Sequence, residues 1–165
     1  MKRYLLILAC AAPLAAYAAA TPDTSFYKNL AEGGLAEVSD ATLAQGSATD
    51  PKLKDFAARM IKDHSAADDK LAALAATKSL ALPTSPGLTQ MAEHEKLKLL
   101  SGDTFDKSYI KGQISAHQDT IKLLRKEIHS GRDPDAQAFA KSVLPTVESH
   151  LKEINAIATA DGVTD

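Results

Sequence analysis

The chain has 165 residues, a formal net charge of −2 and a single cysteine. A mildly acidic chain without a basic stripe is poorly suited to nucleic-acid binding, and one cysteine cannot form a disulfide framework. Alanine is abundant, aromatic residues make up 5% of the chain and tryptophan is absent, so the composition favours helices.

The first 20 residues have the pattern of a secretory signal peptide. Lys2 and Arg3 precede the apolar run YLLILACAAPLAAYAAA, which ends in small residues. We expect residues 1–20 to be removed on export, which shifts the formal net charge from −2 to −4. The product is then periplasmic or secreted, without integral membrane insertion, although peripheral envelope association and an uncleaved anchor stay open. Cys10 should leave with the signal, and its lipidation is the alternative.

Two helices are predicted first in the remaining chain of about 145 residues. The first spans residues 24–45, and Gly46 is expected to end it. The second starts at Asp50-Pro51, where the aspartate can cap the first turn and the missing N–H of proline costs nothing. It runs to about Lys78, where the segment LALPTSPG breaks the helical pattern.

Three further helices follow this break. A short helix covers residues 88–100, and a long helix then runs over residues 103–130 to Gly131. The last helix begins at Asp133-Pro134 and ends near residue 159. Pro145 lies inside it and predicts a kink.

The order of these helices predicts an all-α fold, because no segment has the alternating pattern of a strand. Short links pair the first long helix with the second and the third with the fourth. The connection between the pairs, about 25 residues long, can travel the length of a bundle. Residues 24–160 are therefore predicted to form one ferritin-like antiparallel four-helix bundle with a long crossover that carries the short helix.

The last three long helices each carry one histidine in an otherwise apolar seam with alternating steps of three and four residues. The seams are Leu53, Ala57, Met60, His64, Ala67, Leu71 and Leu74; Ile110, Ile114, His117, Ile121, Leu124 and Ile128; and Ala140, Val143, Val147, His150, Ile154 and Ile157. Each histidine lies near the middle of its series. We therefore expect the three imidazoles to meet near the centre of the bundle.

The first long helix offers two competing apolar stripes. One contains Leu30, Gly34, Glu37, Ala41 and Ala44, with Glu37 as its one ionisable member, and the other contains Ala31, Leu35, Val38 and Thr42. Gly33-Gly34 should weaken a helix by about 1 kcal/mol per glycine, so a close approach of another group is expected there. If the first stripe faces the core, Glu37 joins the three histidines.

A metal ion would satisfy several buried imidazoles at once, since neutral imidazole is the commonest protein ligand. The predicted ligands are Glu37, His64, His117 and His150, and Asp68, Asp63 and Glu148 are candidates to orient them. The position three residues before each histidine is apolar, so no Glu-x-x-His pair and no di-iron site are expected. A single zinc, copper or iron ion fits the ligand set better. A metal-free polar network and partial exposure of the histidines are the alternatives.

Four motifs carry a resemblance to a known family: FYKNLAEGGLAEV, FAARMIKDHS, FDKSYIKGQISAHQ and LPTVESHL. In this order and behind a signal peptide, they resemble the domain-of-unknown-function 4142 (DUF4142) family over residues 26 to about 158. The resemblance implies an exported bacterial protein with a ferritin-like bundle. It also implies the same Glu37, His64, His117 and His150 set, but no activity.

Three functions remain open from the sequence. The first is a non-enzymatic bundle that binds one transition-metal ion, for metal handling or envelope stress tolerance. The second is a structural or interaction module of the envelope with a metal-free polar network. The third is a metal-dependent enzyme with an open site. The residues identify no catalytic group and no protein partner.

Overall fold

The computed structural model describes residues 23–163, which form five helices and contain no strand. The helices are α1 (Thr24–Ser47), α2 (Pro51–Thr77), α3 (Leu88–Lys98), α4 (Gly102–Ser130) and α5 (Pro134–Ala160). The predicted signal peptide and Cys10 lie outside the described residues.

Two Asp-Pro pairs begin α2 and α5 as predicted. The Asp50 carboxylate accepts a hydrogen bond from the Lys52 N–H at 2.9 Å, and the Asp133 carboxylate accepts one from the Asp135 N–H at 3.0 Å. Such caps satisfy amide groups that have no partner in the first turn, and each contributes about 1 kcal/mol. The prediction that Gly46 ends α1 is wrong, because the helix continues to Ser47.

The four long helices form a ferritin-like antiparallel bundle in which α1 packs on α2 and α4 packs on α5. Residues 78–101 cross from the end of α2 to the start of α4, and α3 lies on this crossover. His94 of α3 contacts Asp40 of α1, with 2.6 Å between Nδ1 and Oδ1, and this contact fixes the crossover along α1. α5 continues as a helix through Pro145.

Two apolar clusters fill the bundle, one toward each end. The first contains Phe56, Met60, Phe105, Tyr109 and Ile110, and the second contains Tyr27, Leu71, Leu124, Phe139 and Val147, each with further small and aliphatic residues. The buried polar residues Glu37, Gln113, His117 and His150 occupy sequence positions between the two clusters on their helices. A polar layer therefore crosses the middle of an otherwise apolar core.

Buried carboxylates hold the helix connections at both ends. At one end the Asp106 carboxylate accepts hydrogen bonds from the backbone N–H groups of Thr49 and Asp50, both at 3.0 Å. At the other end Asp133 accepts from the Tyr27 hydroxyl at 2.9 Å. These contacts fix the helix pairs relative to each other and so fix the depth of the polar layer. Within residues 23–163, no helix has the length and apolar character that crossing a membrane would require.

Candidate metal centre

Three imidazoles meet in the polar layer, one from each of α2, α4 and α5. The ring centroids of His64, His117 and His150 lie 5.6 to 5.8 Å apart. His117 and His150 are 1% and 2% exposed, whereas His64 is partly exposed as a residue but has a buried Nε2. The seam positions predicted from the sequence therefore do converge.

Hydrogen bonds fix the protonated nitrogen of two of these rings. His117 Nδ1 lies 2.8 Å from the carbonyl oxygen of Gln113, which can only accept, so Nδ1 carries the proton. His150 Nε2 lies 3.0 Å from Asp63 Oδ2 and donates to that carboxylate in the same way. The other nitrogen of each ring, His117 Nε2 and His150 Nδ1, is buried without a hydrogen-bond partner and so keeps its lone pair. This is the arrangement in which histidine binds metal ions.

Burial keeps these imidazoles neutral. Desolvation, reinforced by the neighbouring imidazoles of His117 and His150, lowers the pKa of His64 to about 3. Desolvation also lowers the pKa of His117 to about 4, although its hydrogen bond to Gln113 acts in the opposite direction. Both rings are therefore in the neutral form that binds a metal ion at neutral pH.

Glu37 is buried beside the three histidines and is only 5% exposed. From Gly34 onward, the stripe of α1 that faces the core is thus the one that contains Glu37. Its Oε1 lies 3.7 Å from His117 Nδ1, the nitrogen that donates to Gln113. Burial raises the pKa of Glu37 to about 8, an effect that the Gln113 side-chain amide partly offsets. The structure therefore places Glu37 behind His117, and its role as a metal ligand stays a prediction.

The three predicted orienting carboxylates have different surroundings. Asp63 forms a hydrogen bond directly with His150. Asp68 lines a small cavity together with His64 but forms no hydrogen bond to it. Glu148 does not contact an imidazole: its Oε1 accepts from Arg125 at 2.8 Å, and its side chain is 41% exposed. The role predicted for Glu148 is therefore wrong, because its side chain turns to the surface.

Two residues of the site have no counterpart in the sequence predictions. The Phe56 ring covers the cluster on one side, with centroids 6.4 Å from His117 and 6.2 Å from His150. Gln113 supplies the carbonyl that orients His117 and the amide beside Glu37. The sequence did contain a signal for Gln113: a polar residue four positions before His117 lies on the same helix face.

The geometry suits a metal ion. His64, His117 and His150 each offer one ring nitrogen, and the three atoms lie within 4.8 Å of one another. Among residues 23–163 no other group of three or more histidine, cysteine or acidic side chains is arranged in this way, and Glu37 is not a member. Three ligands at about 2.0–2.1 Å from an ion would be roughly 3.5 Å apart, so a small inward movement completes the site. Without an ion, three buried nitrogens lack any partner.

The fold and the trihistidine cluster define a class: a ferritin-like bundle whose core contains a buried cluster of three imidazoles. The family model described as domain of unknown function DUF4142 matches residues 8–157, and the chain belongs to this family. The resemblance seen in the four sequence motifs is thereby confirmed. No curated protein matches the chain.

Solved structures of DUF305 proteins share the fold. A DUF305 fragment from Deinococcus radiodurans covers 86% of this chain and 98% of its own length, at 14% identity and a TM-score of 0.74. A DUF305 protein from Streptomyces coelicolor, described as a candidate secreted protein, covers 84% and 91% at 14% identity and a TM-score of 0.72. CopM in the Cu(II)-bound form covers 84% and 96% at 17% identity and a TM-score of 0.71. CopM is also similar in an Ag-bound form.

Proposed function

We propose that this protein is an exported ferritin-like bundle that binds one transition-metal ion through His64, His117 and His150. The observation that carries the proposal is the set of three buried ring nitrogens, one per histidine, that have no hydrogen-bond partner. An unpaired buried polar atom costs about 1–3 kcal/mol, and one ion would satisfy all three. The hydrogen bonds that orient two of the rings are those expected of metal-ligating histidines.

A copper-group ion fits this site best. Neutral imidazoles suit copper, zinc and iron, whereas magnesium and calcium require oxygen ligands. At a site of nitrogen ligands, Cu(II) generally binds more tightly than Fe(II) or Zn(II). The similar fold of CopM, described in Cu(II)-bound and Ag-bound forms, supports testing copper and silver first.

The proposed role is metal handling or stress tolerance in the cell envelope rather than catalysis. The signal-like residues 1–20 support export to the periplasm or beyond. The formal charge of −4 after their removal gives no basis for nucleic-acid binding.

Metal analysis of the purified mature chain tests this function. The protein is stripped with a chelator, incubated separately with Cu(II), Ag(I) and Zn(II), desalted and measured for bound metal. We expect about one equivalent of the preferred ion. The variant His117→Leu should bind less than a tenth of an equivalent, because two neutral ligands do not hold an ion against desalting.

The exposed His129 provides the matched control, because His129→Leu makes the same chemical change outside the cluster. This control should keep the full equivalent. Failure of the wild-type chain to retain any of the three ions would refute the proposal. Equal metal retention by both variants would place the bound ion outside the trihistidine cluster.

A further inference from the structure

A small cavity adjoins the trihistidine cluster on the side of the second apolar cluster, whereas Phe56 belongs to the first. Its volume is about 20 Å³, enough for one water. Glu37 and His64 line it together with Asp68, Gly34 and residues of the second apolar cluster. The Oε2 of Glu37 is buried without a partner. The cavity thus has polar groups on the cluster side and apolar walls elsewhere.

Gly34 makes room for Asp68 at this cavity. A Cβ on Gly34 would overlap Oδ1 of Asp68 and lie 2.7 Å from its Cγ, so the Asp68 side chain would have to move. At Gly33 a Cβ would meet nothing within 4 Å. The first glycine of the pair is therefore dispensable for packing, whereas the second lets an acidic side chain lie against the α1 backbone.

The Asp68 carboxylate has no partner of its own. Among residues 23–163 it forms no hydrogen bond and no ion pair, although it is half-buried. Asp63, the other acidic side chain near the cluster on α2, is already bound to His150. His64 is the only one of the three histidines that is partly exposed, and it shares the cavity with Asp68. A carboxylate without a partner, a partly exposed ligand and a water-sized space thus lie together.

We infer that Asp68 is the entry residue of the metal site, which first captures a cation at the α1–α2 surface and passes it through the cavity to His64. This inference rests on the proposed function. Phe56 covers the cluster on the side of the first apolar cluster, and a path beside Asp63 would require breaking its hydrogen bond to His150. On the Asp68 side, that carboxylate has no hydrogen bond or ion pair among residues 23–163 that would have to break. Asp68 is accordingly a positioning residue on the route and not one of the final ligands.

Stopped-flow mixing of the metal-free mature protein with Cu(II) alone tests this route, with quenching of the intrinsic tyrosine fluorescence as the signal. Asp68→Asn should reduce the association rate constant by roughly tenfold or more, the lower end of the effect that local charge has on ion capture. Because the same route serves release, dissociation should slow by a similar factor. The equilibrium Kd should then change by less than about threefold.

Two matched controls separate the local role from general charge and helix effects. Asp69→Asn removes the same charge from the neighbouring exposed position and should leave the association rate within about twofold. Gly34→Ala keeps every charge but displaces the Asp68 side chain, so it should slow association as Asp68→Asn does. Gly33→Ala makes the same change in helix propensity without contact and should bind at the wild-type rate.

The outcomes distinguish this inference from the proposed function. Equal rates for Asp68→Asn and Asp69→Asn, with metal still bound at one equivalent, would overturn the entry route and leave the trihistidine site intact. A large loss of equilibrium affinity in Asp68→Asn without a change in association rate would make Asp68 a ligand and also overturn the route. Absence of Cu(II), Ag(I) and Zn(II) binding in the wild-type chain would refute both.

Discussion

Replacement of all three histidines by leucine should stabilise the metal-free protein while abolishing metal binding. In the metal-free wild type, His64 Nε2, His117 Nε2 and His150 Nδ1 are buried without partners. Each such atom costs about 1–3 kcal/mol, so the triple change relieves roughly 3–9 kcal/mol. The same change removes the hydrogen bonds of His117 to Gln113 and of His150 to Asp63, each contributing about 1 kcal/mol.

The net gain in the free energy of unfolding is then at least about 1 kcal/mol. Replacing buried polar or ionic groups by apolar side chains of similar volume commonly stabilises a protein by about 1–4 kcal/mol. A net gain of at least about 1 kcal/mol is consistent with these values. Neither former acceptor adds an unfavourable term by being left buried without a partner. The Gln113 carbonyl lies within α4, and the Asp63 side chain is 30% exposed to water. For a domain of this size the melting temperature should rise by at least about 3 °C.

Differential scanning calorimetry with and without metal checks both the gain in stability and the loss of metal binding. With chelator present, the triple variant should melt above the wild type. With Cu(II) at about 100 times the Kd, the wild type should gain about 2.7 kcal/mol, whereas the variant should not respond. A metal-free variant that is less stable than the wild type by more than about 1 kcal/mol would refute the reasoning, because the imidazoles would then hold the fold together.

Three further predictions follow from the same contacts. Asp63→Asn should weaken metal affinity by about 10–100-fold in a chelator competition, because the carboxylate that orients His150 is lost; Glu148→Gln, at the surface, should not. In the metal-free protein, the lowered pKa of His64 makes stability fall as the pH drops from about 6.5 toward about 3, because the unfolded chain takes up the proton first. The raised pKa of Glu37 makes stability fall as the pH rises from about 4.5 to about 8, because the unfolded chain releases the proton first. Thermal melts between about pH 6.5 and 8 should therefore show a loss of stability that Glu37→Gln removes, and an equal loss in both proteins would contradict the shift at Glu37. Asp106→Ala should lower the free energy of unfolding by about 2–4 kcal/mol in urea titrations, because three donors of the α1–α2 connection lose their acceptor.

The fold and the meeting of the histidines were predictable because both depend on local rules. The Asp-Pro pairs define the starts of α2 and α5, and steps of three and four residues define which face of each helix is buried. On α1 the two stripes were equally apolar, and the sequence could not choose between them. In the structure the Glu37 stripe faces the core from Gly34 onward, and Gly34 leaves room for the Asp68 side chain.

The orienting contacts were less predictable, because they depend on side-chain directions between helices. Asp63 and Glu148 both flank a seam histidine by one or two positions, so their sequence patterns are equivalent. Asp63 reaches across from α2 to the ring of His150 on α5, whereas Glu148 finds Arg125 at the surface. Spacing within one helix cannot distinguish these outcomes, because they are decided by the rotation of one helix against its neighbour.

The capping residues of the bundle therefore help to position the side chains of the proposed metal centre. One residue along an α-helix corresponds to a rotation of about 100° and a rise of about 1.5 Å. A shift of α2 by one residue would replace His64 by Asp63 or Ser65 at the seam and would remove the hydrogen bond to His150 at the same time. The Asp50 cap lies 14 residues before His64, and Asp106 holds the N–H of Asp50 from α4. A contact at one end of the bundle thus helps to fix the depth at which His64 reaches the centre.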